Sequence, residues 1–261
     1  MTGRAELVAH VVPGRIRPVG VLVAATIALQ ISYPLASGDT RTRLTIATVV
    51  VFAAASICHA GLTYGRRGLA CCAAAAVIGL LAEVVGTHTG VPFGHYRYAG
   101  TLGPQIGGAP LVVALAWTMM AWPAALVARL LAGSAVARVF VGAWALASWD
   151  VFLDPQMVAA GHWRWATPSP HLPGVGTVPL TNLAGWLAVS ALISVVAQWL
   201  LRPMRPADDT WMFGMFLWTY ASSVLALAAF LHLWWAALWG ALGMGLVSVP
   251  LAFRLRGKGI P

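Results

Sequence analysis

WMFGMFLWTYASSVLALAAFLHLWWAALWGALGMGLVSVPLAF, residues 211–253, is a run of 43 residues without a single Asp, Glu, Lys or Arg. About 20 apolar residues cross the hydrocarbon core of a bilayer. The run is therefore too long for one crossing, and two helices joined tightly near His232 and Leu233 fit it. Working back toward the N-terminus, further apolar runs lie near residues 18–36, 43–62, 68–86, 109–128, 136–153 and 179–200. The reading is an all-α polytopic membrane bundle of eight transmembrane helices.

Composition agrees. The 261 residues are 60% hydrophobic and 9% charged, whereas a soluble domain carries roughly a quarter charged residues, so an ordinary soluble enzyme is excluded. Sixteen basic residues against seven acidic give a formal charge of +9. With one lysine, Lys258, and no basic block, that charge does not point to nucleic acid. It reports orientation instead, because basic residues near helix ends collect on the cytoplasmic side. With eight helices, one side holds Arg4, Arg15, Arg17, Arg66, Arg67, Arg129, Arg138, Arg202, Arg205, Arg254, Arg256 and Lys258, and the other Arg41, Arg43, Arg97 and Arg164. That 12 to 4 split puts both termini inside; fusing the last two helices would reduce it to 9 to 7. The first run begins after Arg15 and Arg17 and continues into Tyr33 and Pro34, which predicts an uncleaved first helix. Cys58, Cys71 and Cys72 are odd in number, form no CxxC pair and read as small packing residues.

Two connections, 87–108 and 154–178, are long and rich in Gly, Pro, Trp and Tyr. Both fall on the non-cytoplasmic face. Unpaired backbone cannot face lipid, so they sit at the interface or fold back, and a cap over a cavity is one way to satisfy them. The whole chain, 1–261, reads as a single membrane-embedded domain. Within it, the glycines of GTLGPQIGG (100–108) permit turns and close packing, since no strand, P-loop lysine or dinucleotide fingerprint accompanies them. The small residues of AALWGALGMG (236–245) suit close helix contact, within the chain or between subunits.

The acidic residues can be weighed singly. Glu6, Asp39, Asp208 and Asp209 lie in the tail or loops and read as solvated. Glu83, Asp150 and Asp154 lie within or at the ends of helices, where a carboxylate is expensive and faces a cavity or a partner. Asp150 and Asp154, four apart in WDVFLDP, share a helix face, and Pro155 is expected to end that helix. Topology brings all three acids toward the outer face. They either serve chemistry there or anchor the loops by pairing with Arg97, Arg164 and backbone N–H groups. Tyr33, His88, His95, Tyr96, Tyr98, His162, Trp163, Trp165, Asn182 and His232 fall on the same side. An aromatic belt accounts for many of the 13 tryptophans, although an aromatic face would also stabilise a cation. His59 and His232 lie at opposite depths, which disfavours a haem pair. The absence of HExxH or a close Cys/His cluster disfavours a tight zinc site.

PFGHYRYAGTLGPQIGGAPLVVALAW (92–117), WDVFLDPQMVAAGHWRW (149–165) and VPLTNLAGW (178–186) resemble, in order, the integral-membrane carotenoid biosynthesis family. That family includes gamma-carotene and lycopene hydratases and an archaeal bisanhydrobacterioruberin hydratase. The resemblance covers roughly residues 75–200, with similar hydropathy over most of the chain.

The resemblance implies a carotenoid hydratase that adds water across the terminal 1,2 double bond of an acyclic psi end group, giving a tertiary alcohol with no cofactor. A protein acid would protonate C2, and water would attack the cation at C1. On this reading Asp150 or Asp154 donates the proton and Glu83 holds or deprotonates water. Tyr96, Tyr98, Trp163 and Trp165 shield the cation, and His95 and Asn182 orient water or the loops. The implied partners are a carotenoid such as lycopene or gamma-carotene, water, membrane lipid and other carotenoid enzymes, in a prokaryotic cytoplasmic membrane. Another isoprenoid-modifying enzyme, such as a cyclase or prenyltransferase, and a lipid or pigment transporter remain the alternatives.

Overall fold

The computed structural model describes residues 17–257 apart from Pro206; Arg4, Glu6, Arg15 and Lys258 lie outside them. The described residues form seven long helices: α1 (Arg17–Ser32), α2 (Gly38–Thr89), α3 (Leu111–Leu131), α4 (Ala135–Ala159), α5 (Leu180–Leu201), α6 (Thr210–Leu225) and α7 (Trp234–Arg256). Each, counting the short turns that extend α1 and α6, is long and apolar enough to cross a membrane. This is an all-α polytopic membrane bundle.

The α2 helix is two arms. Its regular geometry breaks at Gly65, with φ 59° and ψ −142°, a region essentially reserved for glycine. Ser56 of the first arm donates to the Met119 carbonyl, and Thr118 donates to the Cys72 carbonyl of the second arm. Both arms therefore meet α3 at one depth, which a straight helix could not do. The sequence runs 43–62 and 68–86 correspond to these arms. The last run divides as expected. After α6 a π-helical turn, Ala226–Phe230, leads to His232, whose φ of 56° reverses the chain into α7.

One end of the bundle carries an arginine cluster that includes Arg67 and Arg129. Arg129 donates to the carbonyls of Leu201 and Met204, and Arg67 to that of Leu200. Cationic groups thus cover the C-terminal carbonyls of α5, where the helix dipole favours them. The small residues near the start of α7 serve internal packing. A Cβ at Gly240 would lie 2.3 Å from the Phe152 ring, and one at Gly245 would lie 3.2 Å from the Tyr220 hydroxyl. The three cysteines are free.

At the other end the two long connections are shorter and more ordered than expected. The α2 helix persists to Thr89 and α4 to Ala159, so the connections are residues 90–110 and 160–179. Pro155 does not end α4. Proline forfeits one backbone bond, and bonds from Ala160 to the Gln156 carbonyl and from His162 to the Met157 carbonyl close the helix beyond it. The connections contain a ribbon of two antiparallel strands, β1 (Tyr96–Tyr98) and β4 (Trp163–Trp165), in the register Tyr96 to Trp165, Arg97 to Arg164 and Tyr98 to Trp163. A small hairpin pairs β2 (Gln105–Ile106) with β3 (Ala109–Pro110), turning on Gly107 and Gly108 at φ 54° and 78°.

Candidate active site beneath the ribbon

Period-two geometry decides what the ribbon presents. In Tyr-Arg-Tyr and Trp-Arg-Trp the aromatics share one side and the arginines the other. Tyr96 and Trp165 are buried, whereas Arg97 and Arg164 are exposed. The membrane acids therefore do not pair with these arginines; aromatic and amide donors meet them instead.

Glu83, on the second arm of α2, is 5% exposed. Its Oε2 accepts from the Tyr96 hydroxyl at 2.5 Å and the Tyr98 hydroxyl at 2.8 Å, and its Oε1 from the Trp117 indole at 3.3 Å. Gly79 and Gly86 flank Glu83 on the same helix face at spacings of four and three. A Cβ at Gly79 would lie 2.2 Å from Trp117 Cγ, and one at Gly86 3.0 Å from the Tyr96 hydroxyl. The two glycines thus make room for two of the three donors. Burial, and next the Glu83 charge, push the Tyr96 and Tyr98 phenols upward, so both remain hydroxyl donors at any ordinary pH.

Asp150 and Asp154 lie one turn apart on α4, 2% and 3% exposed. The Asn182 amide nitrogen, on the first turn of α5, donates to Asp150 Oδ2 at 2.7 Å and to Asp154 Oδ2. Asp154 Oδ1 accepts from the Trp163 indole at 3.1 Å. Asp150 Oδ1 is buried with no hydrogen-bond partner among the described residues.

The two aspartates face different spaces. Asp154, Glu83 and Asn182 line an internal cavity of about 150 Å³, walled by Tyr96, Tyr98, Trp117, Trp149, Trp163, Trp165, Trp186 and Phe93. Trp117 stacks on Trp186 and Trp149 meets Trp186 edge-on. Asp150 lies behind Asn182 and lines a much smaller apolar pocket with Val151, Leu172 and Val175. Of the nine residues singled out in the sequence, Glu83, Asp154, Tyr96, Tyr98, Trp163, Trp165 and Asn182 come together on the cavity. Asp150 joins through Asn182. His95 does not line the cavity: its side chain is exposed, packed over Gly90. Trp165 turns its indole N–H to the Phe93 carbonyl at 2.9 Å, so only its ring faces the site.

Three cavity tryptophans escaped selection, although Trp117, Trp149 and Trp186 each begin or end one of the resembling segments. A further set of neutral polar residues on α1, the first arm of α2, α4 and α6 was also missed. Among the other outer-face histidines, His88 and His232 are exposed. His162 is buried, bonded through Nδ1 to Thr101 at 2.8 Å, and burial lowers its basicity.

The far end of the bundle corrects one expectation. Asp209 is not solvated: it is 6% exposed and accepts from the Tyr64 hydroxyl at 3.1 and 2.9 Å. Its neighbour Asp208 is exposed, as expected. Burial, the largest cause, pushes the Asp209 carboxyl up to about 7.

Fold and site together define a polytopic membrane protein built around an internal, aromatic-walled pocket with carboxyl groups. The family model for carotenoid biosynthesis proteins matches residues 43–251, more than half of the chain, and the protein belongs to that family. The bisanhydrobacterioruberin hydratase of Haloarcula japonica is similar, 33% identical over 110 residues. That match covers 40% of this chain and 36% of the relative, so the chain spans little more than a third of the relative's length. No solved structure matches the chain.

Proposed function

We propose that the protein is a cofactor-independent carotenoid hydratase, adding water across the terminal 1,2 double bond of an acyclic psi end group to give a tertiary alcohol. The observation that carries this reading is the pairing of Asp154 with Asp150 on one Asn182 amide, at the edge of a cavity walled by aromatic rings. Two ionised carboxylates on one amide in an apolar bundle would repel strongly, so the pair is suited to hold a proton between them. Family membership and the partial likeness to a hydratase support the same chemistry.

In the proposed mechanism Asp154, which faces the cavity, gives its proton to C2, and the double-bond electrons form the new C–H bond. The positive charge falls on tertiary C1, where indole faces oppose it. A water oxygen then bonds to C1, and the proton it sheds goes to Glu83. Exchange of that proton back to Asp154 restores the starting state, so substrate and water balance product with no redox step. Tyr96, Tyr98 and Trp117 hold the Glu83 carboxylate oriented toward the site. Asp150 and Asn182 position Asp154. The arginine-rich end faces the cytoplasm of a prokaryotic cell, and the ribbon faces the opposite side.

Expression in cells that accumulate lycopene tests the reading, followed by gamma-carotene and a longer C50 precursor. A pigment one water heavier, lost in Asp154→Asn and Glu83→Gln variants at normal expression, is expected. No mass gain from any of the three overturns it, as does unchanged hydration by both variants.

A further inference from the structure

The cavity wall carries two chemically different groups of residues. Glu83 and Asp154 form the acidic one; the other is made of neutral polar side chains from four helices, among them Gln30 of α1, Thr48 of α2, Gln156 of α4 and Ser222 and Ser223 of α6. A hydrocarbon end group gains nothing from such a wall, since burying hydroxyls and amides against it strips them of hydrogen bonds. Several hydroxyls on these helices satisfy their own proton locally: Thr26, Ser32 and the cavity-lining Thr45 and Thr219 each donate to the carbonyl four residues back, and Ser222 donates to the Thr219 carbonyl at 3.5 Å, which leaves its lone pairs to accept. Thr48 does not. Its Oγ1 is buried and has no hydrogen-bond partner among the described residues. Gln30 gives its Oε1 to the Trp218 indole at 2.7 Å, which leaves its amide N–H groups to other partners.

Donors and acceptors that converge on a roomy internal space are the requirement for bound water, which takes two to four polar partners and about 10–15 Å³. The cavity, at about 150 Å³, has room for water beside an end group. Gln156 and Asp154 both belong to α4 and both line the cavity, so one helix contributes to both groups.

We infer that the neutral group of the cavity wall, centred on Thr48, Gln156 and Ser222, is a water-binding subsite that delivers the nucleophile to the cation formed by the acidic group. The inference rests on the hydratase reading and deepens it. It divides the labour: Asp154 makes the cation, and the neutral wall decides the cation's fate. With water in place, the oxygen bonds to C1 and the alcohol forms. Without it, the cation returns a proton from C2 to the Asp154 carboxylate and the alkene re-forms. In D2O the second course leaves a mark: Asp154 exchanges its proton with solvent and delivers a deuteron to C2, and an alkene that re-forms by loss of the original C2 hydrogen carries deuterium there.

The test is turnover of a psi-ended carotenoid in D2O by the full-length protein and by Thr48→Val and Ser222→Ala, with alcohol and alkene deuterium measured by mass spectrometry. The ratio of exchange to hydration is expected to rise about tenfold in each variant, the net worth of roughly one hydrogen bond. Thr48→Ser, which keeps the hydroxyl, should restore the wild-type ratio. Exchange and hydration that fall together, or a ratio that stays at the wild-type value, overturn the water subsite while leaving the hydratase reading intact. A wild-type protein that makes no alcohol from any psi-ended carotenoid overturns both.

Discussion

Trp117 and Trp186 stack with ring centroids 3.9 Å apart and planes 18° from parallel. They join α3 to α5 across the wall of the cavity, and Trp117 also donates to Glu83. A cation on the substrate would find an indole face here. A cation over an aromatic ring is worth about 0.5–2 kcal/mol, so Trp186→Leu should lower kcat/KM for hydration by roughly 2- to 30-fold. Trp186→Phe should retain most of the activity. Equal rates for the Leu variant and the wild type would remove cation stabilisation from the role of this ring.

The Gly79 seat for Trp117 can be tested by filling it. In Gly79→Ala the new methyl would fall 2.2 Å from Trp117 Cγ, and overpacking of this kind costs about 1–3 kcal/mol. The expected result is a lower unfolding midpoint in detergent together with reduced hydration. Gly214→Ala is the control, because its added methyl meets nothing within 4 Å among the described residues. That variant should be at least as stable as the wild type, since alanine favours a helix over glycine by about 0.8–1.0 kcal/mol.

The reversal between the arms of α2 depends on a single residue. At φ 59° and ψ −142°, Gly65 holds a conformation that a side chain opposes, at a cost of about 1–3 kcal/mol. No steric neighbour among the described residues adds to that, since a Cβ there would meet none of them within 4 Å. Gly65→Ala should therefore destabilise through backbone strain alone. An unchanged unfolding midpoint would contradict that geometry.

Asp209 predicts a pH dependence located far from the cavity. Its carboxyl, pushed up from 3.8 to about 7 in the folded protein, binds its proton more tightly there than in the unfolded chain. The stability it contributes is full below the ordinary carboxyl range and is lost as pH rises through about 7. The groups acting on it are the Tyr64 hydroxyl, Asp208 and Arg129, with His59 Nε2 at 3.7 Å. The wild-type unfolding midpoint should fall between about pH 4 and pH 7, and Asp209→Asn should flatten that slope. Parallel slopes would assign the dependence to another group.

Much of this was legible because a bilayer imposes simple rules. Its thickness sets the length of each apolar run, so the spans and the break near His232 could be read directly. Ionisable groups within the spans are rare enough that Glu83, Asp150 and Asp154 stood out. What escaped depends on contacts between distant segments. Asp209 resembles its solvated neighbour Asp208, and contacts from distant segments, with Tyr64 and His59, separate them. The neutral group of the cavity wall escaped because Ser, Thr and Gln in helices commonly bond their own backbone. His95 was misjudged for a local reason: it falls in phase with Arg97 on the outward side of a period-two segment, whereas Tyr96 and Tyr98 turn inward. The alternation in Tyr-Arg-Tyr and Trp-Arg-Trp was visible, but three residues are too few to mark a strand without knowing the partner.

The ribbon itself has a mechanical consequence. Tyr96 and Tyr98 on β1 bond Glu83, and Trp163 on β4 bonds Asp154, so three residue pairs of backbone register carry hydrogen-bond donors for both acids. Lifting the ribbon to admit or release a ligand would remove those donors from the two carboxyls in one movement. The geometry of two acids on different helices therefore depends on the pairing of β1 with β4.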